Sequence, residues 1–184
     1  DRVQYYFPFE FKAKLVVGQH HGRFYQDFLH VPNIINAPPS LKLRNPGEKL
    51  RVMFSPTKKQ EGRWNNKHSE TLNRSLEALS SLGKIDLVFP KRPVPPEVLL
   101  QVRRSCHISI DEISTGGFHM VSLEALCTGN IAINKSDFFA KNAFSSFCDG
   151  EMPPFLYANE SSIADILTNL AYSHEETIYL QKKS

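Results

Sequence analysis

Cysteine is scarce and unpaired: Cys106, Cys127 and Cys148 are the only three in 184 residues. They are widely spaced and form no CxxC pair, so neither a disulfide framework nor a zinc site is indicated. Reduced thiols of this kind predict a cytoplasmic location. No apolar run approaches the length of a membrane span. The opening residues, DRVQYYFPFEFKAK, lack the charged-then-apolar layout of a secretory signal. Internal repeats and low-complexity tracts are missing as well. There is no GxGxxG arrangement, which argues against a nicotinamide or flavin dinucleotide. Ser55, Ser109 and Ser122 lie in no GxSxG context, which argues against a serine hydrolase. His20 and His21 are adjacent and have no partner at i+4, so they make a poor metal pair, and no metal is expected. The net charge of +3 suits an anionic small ligand and is too weak to predict a nucleic-acid partner.

What is present is a globular composition, 41% hydrophobic and 22% charged, of a length that suits one domain. Residues 1–13 are aromatic and irregular, Lys14 to Val17 reads as a short strand, and Val31 to Asn36 is extended. Three prolines and a Pro-Gly pair make 37–49 a connector, and a boundary is placed there. From residue 50 the pattern alternates. Leu50 to Phe54, Ile85 to Phe89, His107 to Ile110, Ile131 to Ile133 and Phe155 to Tyr157 read as strands. Between and after them lie helical spacings over 69–82, 97–104, 118–128, 137–144 and 161–172, and a last helix begins near Glu175. Such alternation predicts an α/β fold with a Rossmann-like parallel sheet and helices on both faces. Ligands of these sheets bind beyond the carboxyl ends of the strands, at the switch point.

The stretch Ser109 to Asn134, SIDEISTGGFHMVSLEALCTGNIAIN, is the centre of the pattern. Between Ile113 and Asn134 its only formally charged side chain is Glu124. The helix over 118–128 is apolar nearly all round, which predicts burial, and a carboxylate there needs a hydrogen-bonding partner. Gly116 and Gly117 let the backbone approach a ligand. The amides of Phe118, His119 and Met120 offer a seat for phosphate. Glu124 lies roughly 10 Å further along the axis, about the reach from a pyrophosphate to its ribose. The alternative is a plain turn whose glutamate pairs with a Lys or Arg elsewhere. Two further loops face the same edge. Residues 55–68 carry Lys58, Lys59, Arg63 and Lys67, a phosphate clamp or a solvated charged loop. Residues 89–96, FPKRPVPP, are stiffened by prolines and form a wall for a flat base or a bare crossover.

These residues resemble the donor-binding segment of GT-B glycosyltransferases of the group-one or family-four type. That segment is a strand followed by E-G-F-G-x-x-x-L-E-A-M-A-x-G-x-P-V-V. Phe118, Leu123, Glu124, Ala125, Leu126 and Gly129 match it in spacing. Upstream, RVMFSPT with NNKHSETLNRSLEAL is similar to the family's strand, phosphate loop and K-G-T helix start, with Lys67 on the lysine and Ser69 on the threonine. VPNIIN is similar to the hinge before the second lobe, and GEMPPFLYANESSIADILTNL to the segment that closes the sheet.

The resemblance implies a single nucleotide-sugar-binding lobe over 50–184. It makes 1–36 the tail of a preceding lobe or a hinge segment and 37–49 a linker. It implies that Glu124 holds the ribose and that Lys67 and Arg63 hold the diphosphate. Gly116, Gly117, Phe118, His119, Met120, Thr57 and Arg92 complete the donor site. Transfer would retain the anomeric configuration without metal or other cofactor, the nucleotide sugar being the donor substrate. An acceptor lobe or partner chain would supply the second wall, and the isolated lobe would turn over poorly. Gly116 stands where the family has its first glutamate, which puts sugar recognition in question. His119 and His68 stand where it has glycines. The competing reading is a non-catalytic interaction or regulatory module of the same shape, with Tyr5, Tyr6, Phe7, Phe9 and Phe11 as a partner patch.

Overall fold

The computed structural model describes residues 12–17, 22, 24–25, 27–56, 69–90 and 94–184. Two short strands, β1 (Leu15–Val16) and β2 (Leu29–His30), pair in parallel. The main sheet follows: β3 (Leu50–Phe54), α1 (Glu70–Ser81), β4 (Ile85–Val88), α2 (Pro96–Arg104), β5 (Ile108–Ile110), α3 (Met120–Cys127), β6 (Ile131–Asn134), α4 (Phe138–Ser145) and β7 (Leu156–Tyr157). Two helices, α5 (Ile163–Tyr172) and α6 (His174–Lys183), complete the described chain.

The five strands are all parallel and lie in the order β4-β3-β5-β6-β7. This is the α/β Rossmann-like sheet that the alternating pattern predicts. The chain goes from β3 to β4 on one side and then crosses back to β5 on the other. With right-handed crossovers, α1 and α5 cover one face and α2, α3 and α4 the other.

Side-chain alternation along the strands builds a different core on each face. Leu50, Val52, Phe54, Ile85, Ile108, Ile110, Ile131 and Ile133 point to the first face. There they pack on Leu72, Leu76 and Leu79 of α1 and Ile163, Leu167 and Leu170 of α5. Each such side chain contributes about 1.5–3 kcal/mol when fully buried. The second face is built of small residues: Ala132 meets Ala125 of α3 and Ala140 of α4, with Phe118 and Phe155 alongside. Ser109, Asn130 and Asn134 are fully buried there and satisfy one another's layer. Asn130 donates to the Ser109 hydroxyl and to the Arg103 carbonyl, and Asn134 donates to the Ser122 hydroxyl. Small residues bring a helix close to the strands, and their polar neighbours require partners once water is gone.

Helix ends follow their residues. Ser69 caps α1 by accepting from the Leu72 amide, and Gly83 with φ +71° stops it. Asp137 caps α4 through the Ala140 amide, and Ser173 caps α6 through Glu176.

The proline-containing segment 37–49 runs across the edge where the strands begin. Ser40 donates to the Cys127 carbonyl and Arg104 to the Pro38 carbonyl. Arg44, only 8% exposed, donates to the Leu170 and Ala171 carbonyls at the end of α5 and to the Glu48 carbonyl four residues on. Gln181 of α6 accepts from the Arg44 amide and donates to the Lys42 and Gly129 carbonyls. The connector is thus held by both of the last helices.

Candidate functional site

In this strand order the switch point lies between β3 and β5. Its β3 side continues into Ser55 and Pro56 and then into residues outside the described set. Its β5 side is the loop 111–119 and the start of α3. Thr57, Arg63, Lys67 and Arg92 all lie outside the described residues, as do Lys58, Lys59 and the aromatic residues at the start of the chain. Of the predicted donor-site residues, the structure therefore places Gly116, Gly117, Phe118, His119, Met120 and Glu124, all on the β5 side.

Two adjacent acids organise this side. Glu112 is fully buried, and its carboxylate accepts from the amides of Ser114 (3.0 Å), Thr115 (2.6 Å) and Gly117 (3.3 Å) and from the Thr115 hydroxyl (2.8 Å). The glycine turn is folded around this side chain. Asp111, next to it, accepts from the His119 amide at 2.6 Å, the Ser122 amide at 3.3 Å and the Ser122 hydroxyl at 2.8 Å. It caps α3, where amides with no helical acceptor and the helix dipole both favour an anion. Of the three amides expected to seat phosphate, that of His119 instead holds one of the protein's own carboxylates, as the neighbouring Gly117 amide does. The reason is local. An acid pair at the end of a strand is closer to the next helix start than any ligand.

Gly116 adopts φ +84°, and a Cβ on it would lie 3.2 Å from the Asp137 carboxylate. A glutamate here would carry left-handed strain and meet a like charge, which explains physically why glycine stands at this position. The Asp137 amide in turn donates to the Gly116 carbonyl at 2.8 Å. The Phe118 ring points away from the crevice, into an aromatic triad with Phe144 (5.7 Å) and Phe155 (5.4 Å). It anchors the loop to α4 and β7, and only its backbone is left to meet a ligand. Met120 opens α3 with 39% exposure.

The α3 helix is less buried than its apolar pattern predicts. Only Ser122 and Ala125 are buried, and the rest of the helix is partly open. The helix sits on the outer layer with its smallest side chains inward, so its large apolar residues lie between α2, α4 and the connector. Glu124 keeps 21% side-chain exposure and meets Arg103 of α2, which keeps 1%, at 3.0 Å between Oε2 and Nη2. Of the two partners expected for this acid, the structure shows the alternative, a basic group elsewhere in the chain. Burial pulls the Arg103 pKa below its ordinary value, and Glu124 opposes that shift. Arg103 Nε and Nη1 are buried without a hydrogen-bond partner among the described residues, so Glu124 is the principal stabiliser of this cation.

Beside the switch point, a shallow cleft is lined by Ile113, Ser114, Lys135, Asn159, Glu160 and Ser161, at the carboxyl ends of β5, β6 and β7. Glu160 accepts from the Ser69 hydroxyl, which ties the β7–α5 turn to the start of α1. Among the described residues no cluster of three or more His, Cys, Asp or Glu side chains forms a metal cage, and no helix is long and apolar enough to cross a membrane.

Sequence reasoning missed Asp111, Glu112 and Arg103. Two acids directly after a strand and before a helix start were a usable signal for the first two. Nothing in the linear sequence pairs position 103 with 124.

No family model matches the sequence, and neither does any curated protein. Among solved structures the chain is similar to one from a GtfA/B complex, at 13% identity and a TM-score of 0.45, over 92% of this chain and 41% of that one. It is also similar to an O-GlcNAc transferase mutant of Thermobaculum terrenum, at 16% identity and a TM-score of 0.44, over 92% and 39%. The chain thus spans about two-fifths of the length of each.

Proposed function

We propose that this chain is the donor-binding lobe of a retaining glycosyltransferase of the hexosyl-transferring kind, taking up a nucleoside diphosphate sugar for transfer to a sugar or glycan acceptor. The observation that carries the reading is the position of the family-like segment. Its strand, glycine turn and helix form the β5 wall of the switch-point crevice, where a doubly wound sheet binds ligands. Glu124 lies on that helix with one oxygen fixed by Arg103. On this reading Oε1 accepts from ribose hydroxyls, and Arg103 sets the direction in which it does so. Residues 1–36 belong to a preceding lobe or its hinge and 37–49 link it to the donor lobe, so the acceptor wall is contributed by chain or partner beyond this lobe.

Calorimetry with uridine, guanosine and adenosine diphosphates tests the reading. Binding in the micromolar to millimolar range by one of them is expected, with Glu124→Gln weakening it about tenfold, the size of a charge-assisted hydrogen bond. No heat with any of the three at high protein concentration would count against it.

A second reading, a non-catalytic module with the lobe's shape, is favoured by one specific observation: Asp111 and Glu112 already fill the anion positions at the glycine turn and at the start of α3. A stable oligomer with no nucleotide response distinguishes it.

A further inference from the structure

The shallow cleft at the carboxyl ends of β5, β6 and β7 has a volume of about 480 Å³, within the range of about 300–1,000 Å³ that small-ligand sites occupy. It adjoins the glycine turn through Ile113 and Ser114. The turn itself offers a ligand little side-chain chemistry. Gly116 and Gly117 carry no side chain, and the Glu112 carboxylate accepts from the turn's own amides. The cleft supplies what the turn lacks. Lys135, directly after β6, lines it and forms no ion pair among the described residues. Glu160 accepts from the Ser69 hydroxyl through Oε1, and its Oε2 has no partner among the described residues. That hydroxyl in turn accepts from the Leu72 amide, so the carboxylate is tied to the start of α1. Asn159 Oδ1 accepts from the Ser161 amide, the Ser161 hydroxyl and the Ser162 amide. Its Nδ2 hydrogens are therefore unused donors among the described residues.

We infer that this cleft is a sugar subsite, in which Glu160 Oε2 accepts from one hydroxyl of a pyranose ring while Lys135 and the Asn159 amide group donate to its neighbours. One cation and one carboxylate give the lining no net charge, so nothing in it selects an anion. A carboxylate needs a ligand that donates, and an ammonium and an amide need one that accepts. Hydroxyls on adjacent carbons do both. The Ser69 contact and the turn over 159–162 hold these groups before a ligand arrives, which lowers the ordering cost of binding. Taking the ring as the hexosyl group of the donor rests on the nucleotide-sugar reading above. A ring of the acceptor presents the same chemistry, and the experiment separates the two.

Saturation-transfer spectra of the chain with the methyl glycosides of glucose, mannose and galactose test the subsite without a nucleotide. Transfer to the ring protons of at least one glycoside is expected. Glu160→Gln, which still accepts from Ser69, and Lys135→Met should each weaken that binding about tenfold, the size of a charge-assisted hydrogen bond. Both side chains are exposed, so neither change removes core packing. Calorimetry then compares uridine diphosphate glucose and guanosine diphosphate mannose with their bare diphosphates. If the ring is the donor's, a nucleotide sugar binds about tenfold tighter than its diphosphate, and Glu160→Gln removes the difference. If it is the acceptor's, nucleotide sugar and diphosphate bind alike, and the glycoside still binds to the chain saturated with diphosphate. No transfer to any glycoside together with no gain from the attached sugar overturns the subsite. So does sugar binding that both variants leave at the wild-type level. In either case diphosphate binding leaves the nucleotide reading intact. Glycoside binding with no heat from any diphosphate sinks that reading and keeps the subsite.

Discussion

Arg103 and Glu124 show how unequal the two ends of one ion pair are. Arg103 is closed off from water and Glu124 is one-fifth open. Removing the arginine leaves a carboxylate that solvent reaches, whereas removing the glutamate strands a buried cation. Glu124→Ala is therefore expected to destabilise the chain by about 3 kcal/mol and Arg103→Met by clearly less. Urea midpoints of the two variants check the order. Glu124→Gln keeps a hydrogen-bond acceptor for Arg103 but loses the charge that balances it, so it should cost some stability and less than Glu124→Ala.

His107 supplies a pH-dependent contribution. It is fully buried, and Nδ1 accepts from the Arg51 amide at 2.9 Å, so the neutral tautomer is the one the fold needs. Burial lowers its pKa from the usual 6.5, an effect that Glu48 opposes in part. The native state then binds fewer protons than the unfolded chain below about pH 6.5. The stability contributed by neutral His107 is complete above that value and is lost as pH falls towards the depressed native value. Urea midpoints should drop between pH 7.5 and pH 5.5, and His107→Asn should flatten this part of the profile.

At the scale of elements, the glycine that ends α3 is fixed by what lies over it. Gly129 has φ +68°, and a Cβ there would come within 2.6–2.9 Å of Leu41 and the Ser40 carbonyl. Gly83, which ends α1, has φ +71° and nothing within 4 Å. Gly83→Ala should cost about 1 kcal/mol, the left-handed backbone alone. Gly129→Ala should cost more, because the connector must also move. A thermal or urea comparison of the two isolates the packing contribution. A helix stop is legible in sequence at both positions, but the close approach at Gly129 is not, since it depends on residues 40 and 41 arriving from some ninety positions earlier in the chain.

The glycine turn before α3 teaches the same lesson in reverse. Its sequence shows amides that favour an anion, and this is what the fold contains. The identity of the anion was not legible: Glu112 and Asp111 occupy positions at Gly117, His119 and Ser122 that a phosphate would otherwise take. Hydrogen bonds of this kind are set by loop geometry, and periodicity carries no information about them.

At the scale of the whole molecule, Arg44 joins the two ends of the described domain. It bonds the Leu170 and Ala171 carbonyls, and its carbonyl meets His174 at 3.0 Å. Arg44→Ala leaves the last carbonyls of α5 without these donors and should destabilise the chain by about 2–4 kcal/mol. Amide exchange should show the largest loss of protection in α5 and α6 and little change in β3 and β5. Uniform loss across the sheet would contradict a local clamp.

The sequence by itself determined the strands and helices, and hence a parallel sheet. These features depend on residues close in the chain: alternation within a strand, and threefold and fourfold spacing within a helix. Only the tertiary structure decided which charges meet. It paired Arg103 with Glu124, set Asp111 against His119, closed the glycine turn on Glu112 and docked the connector through Arg44. Burial makes these contacts strong, and burial is a property of the packed molecule that no local stretch of sequence carries.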